Sequence, residues 1–219
     1  MGSPVNEVRR GRDENQVQVR ISQGFWMGQT EVTQGQWAAV MGSNPSRFKA
    51  DELPVELVSW EDVQAFIAKL NLSAALPAGW KYALPTEAQW EYACRAGTNT
   101  AFAFGDSLSG REANFNVSGD VQYSGFGKAV IVGSYKPNAW GLNDMHGNLY
   151  EWCADGYGDW LTGGTDPVSL SDDHGRVNRG GSWFCDAGKC RSAIRFWNMP
   201  GQRIVNIGFR VAAVPAGAR

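Results

Sequence analysis

The sequence is poor in the residues that build metal centres and disulfide frameworks. Its 219 residues hold four cysteines (Cys94, Cys153, Cys185, Cys190) and two histidines (His146, His174). No C-x-x-C pair occurs and the histidines lie apart, which argues against a zinc site assembled from Cys and His. Four cysteines in a chain of this length do not make a disulfide scaffold, although one bridge stays open. Net charge is scarce too. Twenty Lys+Arg face 22 Asp+Glu, a formal charge of −2, with no run of like sign. That balance removes the electrostatic argument for nucleic acid or an anionic membrane surface as partner. No apolar run nears the roughly 20 residues of a membrane span, so direct membrane insertion is not expected. The opening, MGSPVNEVRRGRDENQ, is polar and charged and carries no secretory signal pattern. Surface display and a cytoplasmic location are equally open.

What is abundant is tryptophan and glycine, 10 and 27 residues. Large rings need many packing sites, and many glycines imply tight backbone passages. Three short segments read as helices. Thr33–Met41 opens with a T-x-x-Q capping box, Thr33 with Gln36. Ser59–Leu70 has Ser59 as N-cap and Val63, Phe66, Ile67 and Leu70 at helical spacing. Thr86–Ala96 repeats the box with Thr86 and Gln89, and Gly97 stands where a C-terminal glycine belongs. Together they make up about a seventh of the chain, against the usual third. Gln16–Ile21 alternates as a strand does, and Phe25–Met27, Val130–Val132 and Phe209–Ala212 are short apolar runs compatible with strands. Residues 104–127 are rich in Gly, Ser and Asn but hold Phe115, Tyr123 and Phe126, which suits a long ordered loop better than a linker. The expected fold is one α+β domain over residues 1–219, with few helices, short strands and much irregular backbone.

Six motifs occur in order along nearly the whole chain: FWMGQTEVTQGQW (25–37), LPVELVSWEDVQAF (53–66), YALPTEAQWEYACRAGT (82–98), NAWGLNDMHGNLYEW (138–152), RVNRGGSW (176–183) and IGFRVA (207–212). This set resembles the formylglycine-generating-enzyme, or sulfatase-modifying-factor, family. The resemblance implies a C-type-lectin-like fold, which serves both enzymes and binding proteins, so it leaves function to the site. It also places Trp26, Trp37, Trp60, Trp90, Trp140, Trp152 and Trp183 in framework motifs, where they are expected to anchor loops. Trp80 and Trp160 have no assigned place.

The family's oxidases use copper held by two cysteines after an R-G-G-S motif. Here Arg179-Gly180-Gly181-Ser182 leads to Cys185, and Cys190 follows at C-x4-C. Under this alternative Ser182, Cys185 and Cys190 would be catalytic and copper the cofactor. The register argues against it: Cys190 runs directly into Arg191-Ser192-Ala193-Ile194-Arg195, so it falls after the position of the enzymes' second cysteine. Cys190 is then a structural partner of Cys94, bridged or simply packed. Cys94 and Cys153 read as buried small hydrophobes.

The segment 184–206 favours a different function. Its framework (Cys190, Arg191, Ser192, Ala193, Arg195, Pro200, Arg203) fits the family. The slots between hold large or apolar residues where members usually carry polar ones. This pattern resembles the variable proteins of diversity-generating retroelements, whose C-terminal segment is rewritten on a fixed scaffold. The resemblance implies a non-catalytic protein that binds a protein ligand through Phe184, Cys185, Asp186, Lys189, Ile194, Phe196, Trp197, Asn198, Met199, Gln202, Ile204, Val205 and Asn206. Phe196-Trp197 and Ile204-Val205 are adjacent pairs, so extended backbone sends their side chains to opposite faces and they cannot all enter one core. Trp197 is the tryptophan expected to meet a partner. Finally, the 144–151 segment resembles a family loop that wraps calcium in a structural role. The ligands implied are the carboxylates of Asp144 and Glu151 and the carbonyls of Gly147 and Leu149.

Overall fold

The computed structural model describes residues 1–73, 76–118, 127–171 and 174–217. The expected helices are present and begin where their capping boxes place them. Helix α1 spans Gln34–Met41, α2 Trp60–Ser73 and α3 Glu87–Arg95. Thr33 Oγ1 accepts from Gln36 N at 3.2 Å while Gln36 Oε1 accepts from Thr33 N at 3.0 Å. Thr86 and Gln89 exchange the same two bonds at 3.1 and 3.0 Å. Each box satisfies two amides that the helix start leaves free. At the end of α3 the left-handed cap is Ala96 (φ 45°), one residue before the expected Gly97.

The strands are β1 (Val19–Arg20), β2 (Trp26–Met27), β3 (Trp80–Ala83), β4 (Tyr150–Gly156), β5 (Gly164–Thr165), β6 (Arg176–Arg179), β7 (Phe196–Asn198), β8 (Ile207–Gly208) and β9 (Ala212–Pro215). They form a four-stranded sheet β7-β6-β4-β8, a three-stranded sheet β2-β9-β3 and a parallel pair β1-β5. Of Gln16–Ile21 only the two residues of β1 pair as strand. Val130–Val132 forms no strand; Val130 N donates to the Asn148 side chain and Val132 N to Glu52 O. Phe115 in the long loop is buried, while Tyr123 and Phe126 lie outside the described residues.

The main core joins α1, α2 and the four-stranded sheet. Trp37 stacks on Phe66 at 5.2 Å, and Phe209 meets both rings edge-on at 6.0 and 5.4 Å. A second cluster packs Trp90 and Cys94 of α3 against Cys153, Val177 and Met145. Each such side chain removed from water contributes roughly 1.5–3 kcal/mol. Trp37, Trp90, Trp152 and Trp183 are buried, as the framework reading expects, and Trp60 is half-buried. Trp26 and Trp140 are corrections to it: both rings are largely exposed, as is Trp160.

Strands this short leave many loops without ladder bonds, and buried arginines tie them down. Arg179 Nη2 reaches Glu91 Oε2 at 2.5 Å and Ser192 O at 3.0 Å. Arg195 grips Glu87 at 2.6 and 2.9 Å, and Arg191 grips Glu14 at 2.6 and 2.7 Å. These pairs cross-link α3, the N-terminal segment and the 184–206 segment.

Candidate binding surface

The segment 184–206 sorts its residues by depth. The framework residues Cys190, Arg191, Ser192, Ala193 and Arg195 are buried. Between and beyond them, Phe184, Phe196, Trp197 and Met199 are 46%, 47%, 39% and 49% exposed. Lys189 and Gln202 are exposed too, and Asp186, Ile194, Asn198, Ile204, Val205 and Asn206 are half-buried. The physical cause is the backbone route. A short 3-10 turn over Ala187–Cys190, N-capped by Asp186, drops Cys190 into the core. Arg191 then pulls the chain against the N-terminal segment and Arg195 against α3, and β7 emerges as the edge strand of its sheet.

Adjacent Phe196 and Trp197 point to opposite faces of β7, as extended geometry requires. Phe196 stacks on Tyr150 with ring centroids 5.4 Å apart, and Trp197 leans on Tyr157 at 6.1 Å. Arg195 lies over the Tyr157 ring at 4.7 Å. Each exposed ring is thus braced from beneath by a fixed tyrosine. The two tyrosines belong to this surface and sequence reasoning missed them; their common position in YEWCADGY gave no sign of a supporting role. Asp186 pairs with Arg9, and Asn206 donates to Ser182 Oγ at 3.0 Å. Ile204 packs on the main core, and Val205 on the cluster of Ala129, Leu149 and Trp183.

Cys185 departs from the expected surface. It is buried, its thiol donating to Tyr150 Oη at 3.3 Å and lying 3.5 Å from Ser182 Oγ. Its side chain therefore supports Tyr150 from below and offers a ligand nothing. All four cysteines are buried and unbridged; Cys94 packs with Trp90, Met145 and Cys153, and Cys190 packs in the main core. Burial, with Cys185 next in importance, pushes the Cys190 thiol well above its ordinary range. Burial likewise pushes Cys94 up to about 12. Gly181 makes this packing possible: at φ +75° its position would set a Cβ 2.5 Å from Cys190 Sγ.

The residues expected to hold calcium are arranged otherwise. Glu151 accepts two bonds from Arg210, at 2.6 and 2.7 Å, and a third from Trp90 Nε1 at 2.7 Å. Both its oxygens are thereby engaged. Asp144 Oδ2 accepts from Gly133 N at 2.7 Å. Among the described residues its Oδ1 has no hydrogen-bond partner and neighbours the buried Glu31, whose Oε2 is also unpartnered there. Gly147 sits against Asn114, and Leu149 is buried beside Trp183. Among the described residues no group of three or more His, Cys, Asp or Glu side chains is placed to hold a metal ion. Glu151, committed to Arg210 and Trp90, does not fit the ligand role that the resemblance gave it.

Residues 1–214 match the model of the sulfatase-modifying factor enzyme 1-like domain. The chain belongs to this family. Within it, a formylglycine-generating enzyme of Thermomonospora curvata is 34% identical over 198 residues, covering 82% of this chain and 61% of the relative. The chain thus spans about three fifths of the length of that curated relative. Among solved structures, Treponema denticola variable protein 1 superposes with a TM-score of 0.84 at 29% identity, covering 98% of this chain and 92% of the other. PvdO from Pseudomonas aeruginosa gives the same TM-score at 28% identity, covering 98% and 90%. The family member has the α+β, C-type-lectin-like architecture that its motifs implied.

Proposed function

We propose that this family member is a non-catalytic binding protein of the diversity-generating-retroelement variable type. Its ligand is a protein, met by the surface of Phe184, Phe196, Trp197 and Met199. One observation carries the reading: four large apolar side chains stand 39–49% exposed on a segment whose framework residues Cys190, Arg191, Ser192, Ala193 and Arg195 are buried. Exposed rings and Met carried on one segment are an aggregation liability unless a partner covers them, and they have the composition of interface anchors. Their backbone is fixed by arginine ion pairs, so side chains can change while the frame holds. The resemblance in shape to the Treponema variable protein supports the same role. The buried state of Cys185 and Cys190 weighs against the copper oxidase, since metal binding needs thiolates and burial raises the Cys190 thiol.

The nucleotide sequence and its surroundings test the variable type. A near-identical template repeat of the 184–206 region beside a reverse transcriptase is expected; their absence sinks that part of the reading. The enzyme alternative has its own assay, copper-dependent conversion of cysteine to formylglycine in a C-x-P-x-R peptide. No turnover is expected, and turnover abolished by Cys185→Ser would replace the binding reading with the oxidase.

A further inference from the structure

Asn178 is a polar side chain among aromatic rings. It lies on β6, and its pairing partners are Trp152 of β4 and Phe196 of β7. Cross-strand partners share one face of a sheet, so these three side chains stand together. The Phe196 ring stacks on Tyr150, two residues before Trp152 on the same face, at 5.4 Å. Asn178 is 0% exposed, and among the described residues neither its Nδ2 nor its Oδ1 has a hydrogen-bond partner. Asn198 stands two residues beyond Phe196 and therefore on that face too. Its Nδ2 donates to Gln202 Oε1 at 3.2 Å, while its Oδ1 is buried without a partner among the described residues. The register makes Asn178 and Asn198 diagonal neighbours, about 7 Å apart. Buried polar atoms are costly to leave unpaired, and nearly all of them in folded proteins have a partner. Here the orphaned atoms lie under the surface that carries Phe196.

The chemistry of these atoms selects what can pair with them. Asn178 offers a donor and an acceptor, and Asn198 a second acceptor. A primary carboxamide carries the converse set. Its NH₂ group donates to both Oδ1 atoms, and its carbonyl accepts from Asn178 Nδ2. A carboxylate would set its own oxygens against two acceptors. An ammonium or guanidinium has nothing to accept from Nδ2. Such a cation is also repelled by Arg176, the cross-strand partner of Asn198. A hydroxyl has one proton to give and leaves one Oδ1 unpaired. Access is from the edge of the sheet. Strand β7 is outermost, so Phe196 stands between Asn178 and that edge. Its ring is 47% exposed, and turning about χ1 to another staggered position uncovers the amide.

We propose that Asn178 and Asn198 form a polar subsite beneath the β7 surface that takes an Asn or Gln side chain of the partner protein, with Phe196 as its cover. The subsite rests on the reading of that surface as a binding surface, and it gives the apolar anchors a selective polar contact. An apolar side chain entering the same place would leave the buried amide unpaired, which is how a hydrogen-bonding site rejects the wrong group.

The full-length chain is titrated with N-acetylglutamine N-methylamide and with the equally blocked methionine and glutamate, while NMR follows the side-chain amide signals of Asn178 and Asn198. Saturable shifts of both signals are expected with glutamine, and binding weaker by about tenfold or more with the other two. Asn178→Leu is expected to lose the preference for glutamine. Phe196→Ala, which removes the cover, is expected to bind blocked glutamine about threefold more tightly or better. The urea midpoints of Asn178→Leu and of the smaller Asn178→Val are expected to match or exceed the parent's, because no bond is lost. Lower midpoints in both would show that the amide has partners in the free protein and would overturn the proposal. Equal binding of the three probes overturns the subsite and leaves the apolar anchors as the binding surface. Binding of none overturns the subsite as well. The binding-protein reading then stands or falls on its own tests, the template repeat and the formylglycine assay.

Discussion

Arg210 holds Glu151 through two nitrogens, at 2.6 and 2.7 Å, and neither side chain reaches solvent. Trp90 Nε1 adds a third donor to the same carboxylate at 2.7 Å. Arg210 also donates to Gly28 O and Asn143 O at 2.9 Å each, so one guanidinium ties two loops to β4. Removing it leaves a buried anion with a single donor. Arg210→Leu is expected to cost about 3–5 kcal/mol, the usual penalty for breaking a buried pair. Equilibrium urea unfolding measures this. Arg210→Lys is expected to recover only part, because an ammonium cannot reproduce the planar two-nitrogen grip.

Neighbouring residues in the 190–199 stretch should respond in opposite ways. Arg195 is buried against Glu87, whereas Trp197 and Met199 are 39% and 49% exposed. Arg195→Ala is expected to lose about 3–5 kcal/mol of stability, since it removes the two-nitrogen grip on the buried Glu87 and leaves only Arg179 beside it at 3.7 Å. Trp197→Ala and Met199→Ala are expected to lose no more than about 1 kcal/mol each. Thermal midpoints of the three variants check the contrast. Equal losses at all three positions would remove the idea that this segment separates scaffold from surface.

That separation was largely readable from the residues, and so were the helices. Capping boxes are local signals, and Thr33 with Gln36 or Thr86 with Gln89 carry them within four residues. Strands of two residues carry no such signal. Val19–Arg20 is a strand only because Gly164–Thr165 lies beside it, a partner more than a hundred residues away. The same distance problem hid the fate of Glu151, whose partner Arg210 stands 59 positions on. A local loop pattern made Glu151 a candidate cation ligand, and the tertiary contact claimed it first. Trp26 and Trp140 sit in irregular backbone, where no period of 2 or 3.6 says which way a ring faces. Cys185 was assigned to the surface with its neighbours because a cysteine suits either a buried or an exposed slot.

Asp155 gives the protein a pH dependence with a definite sign. Burial, followed by the charge of Glu87, raises its carboxyl from 3.8 to about 7. A raised folded-state value means that the native protein holds a proton the unfolded chain releases. The stabilisation is complete below about pH 4 and is lost as pH rises toward 7. Its size is on the order of 4 kcal/mol for a shift of about three pK units. Asp155→Asn removes the titration but keeps only one acceptor oxygen for the Glu87 and Ser169 amides, which now reach separate oxygens at 2.7 and 3.0 Å, so it lowers stability at every pH. Urea midpoints between pH 4.5 and 7.5 are expected to fall less steeply with rising pH in Asp155→Asn than in the parent. Parallel profiles would mean that Asp155 titrates normally.

Thiol chemistry separates the two functional readings without any substrate. All four cysteines are buried, and burial raises the thiols of Cys94, Cys153 and Cys190. Reaction with a maleimide requires both access and thiolate, so the native protein should label slowly at every site. After unfolding in urea, all four should label at the rate of a free cysteine. The native rate then reports the opening of the fold and should track stability across variants such as Arg210→Leu. A catalytic pair would behave differently, because a thiol that must meet copper and a substrate cysteine has to be reachable in the folded state. Fast native labelling confined to Cys185 or Cys190, located by peptide mass mapping, would therefore argue for catalysis at Ser182, Cys185 and Cys190. Uniform protection would leave the binding surface around β7 as the segment's working part.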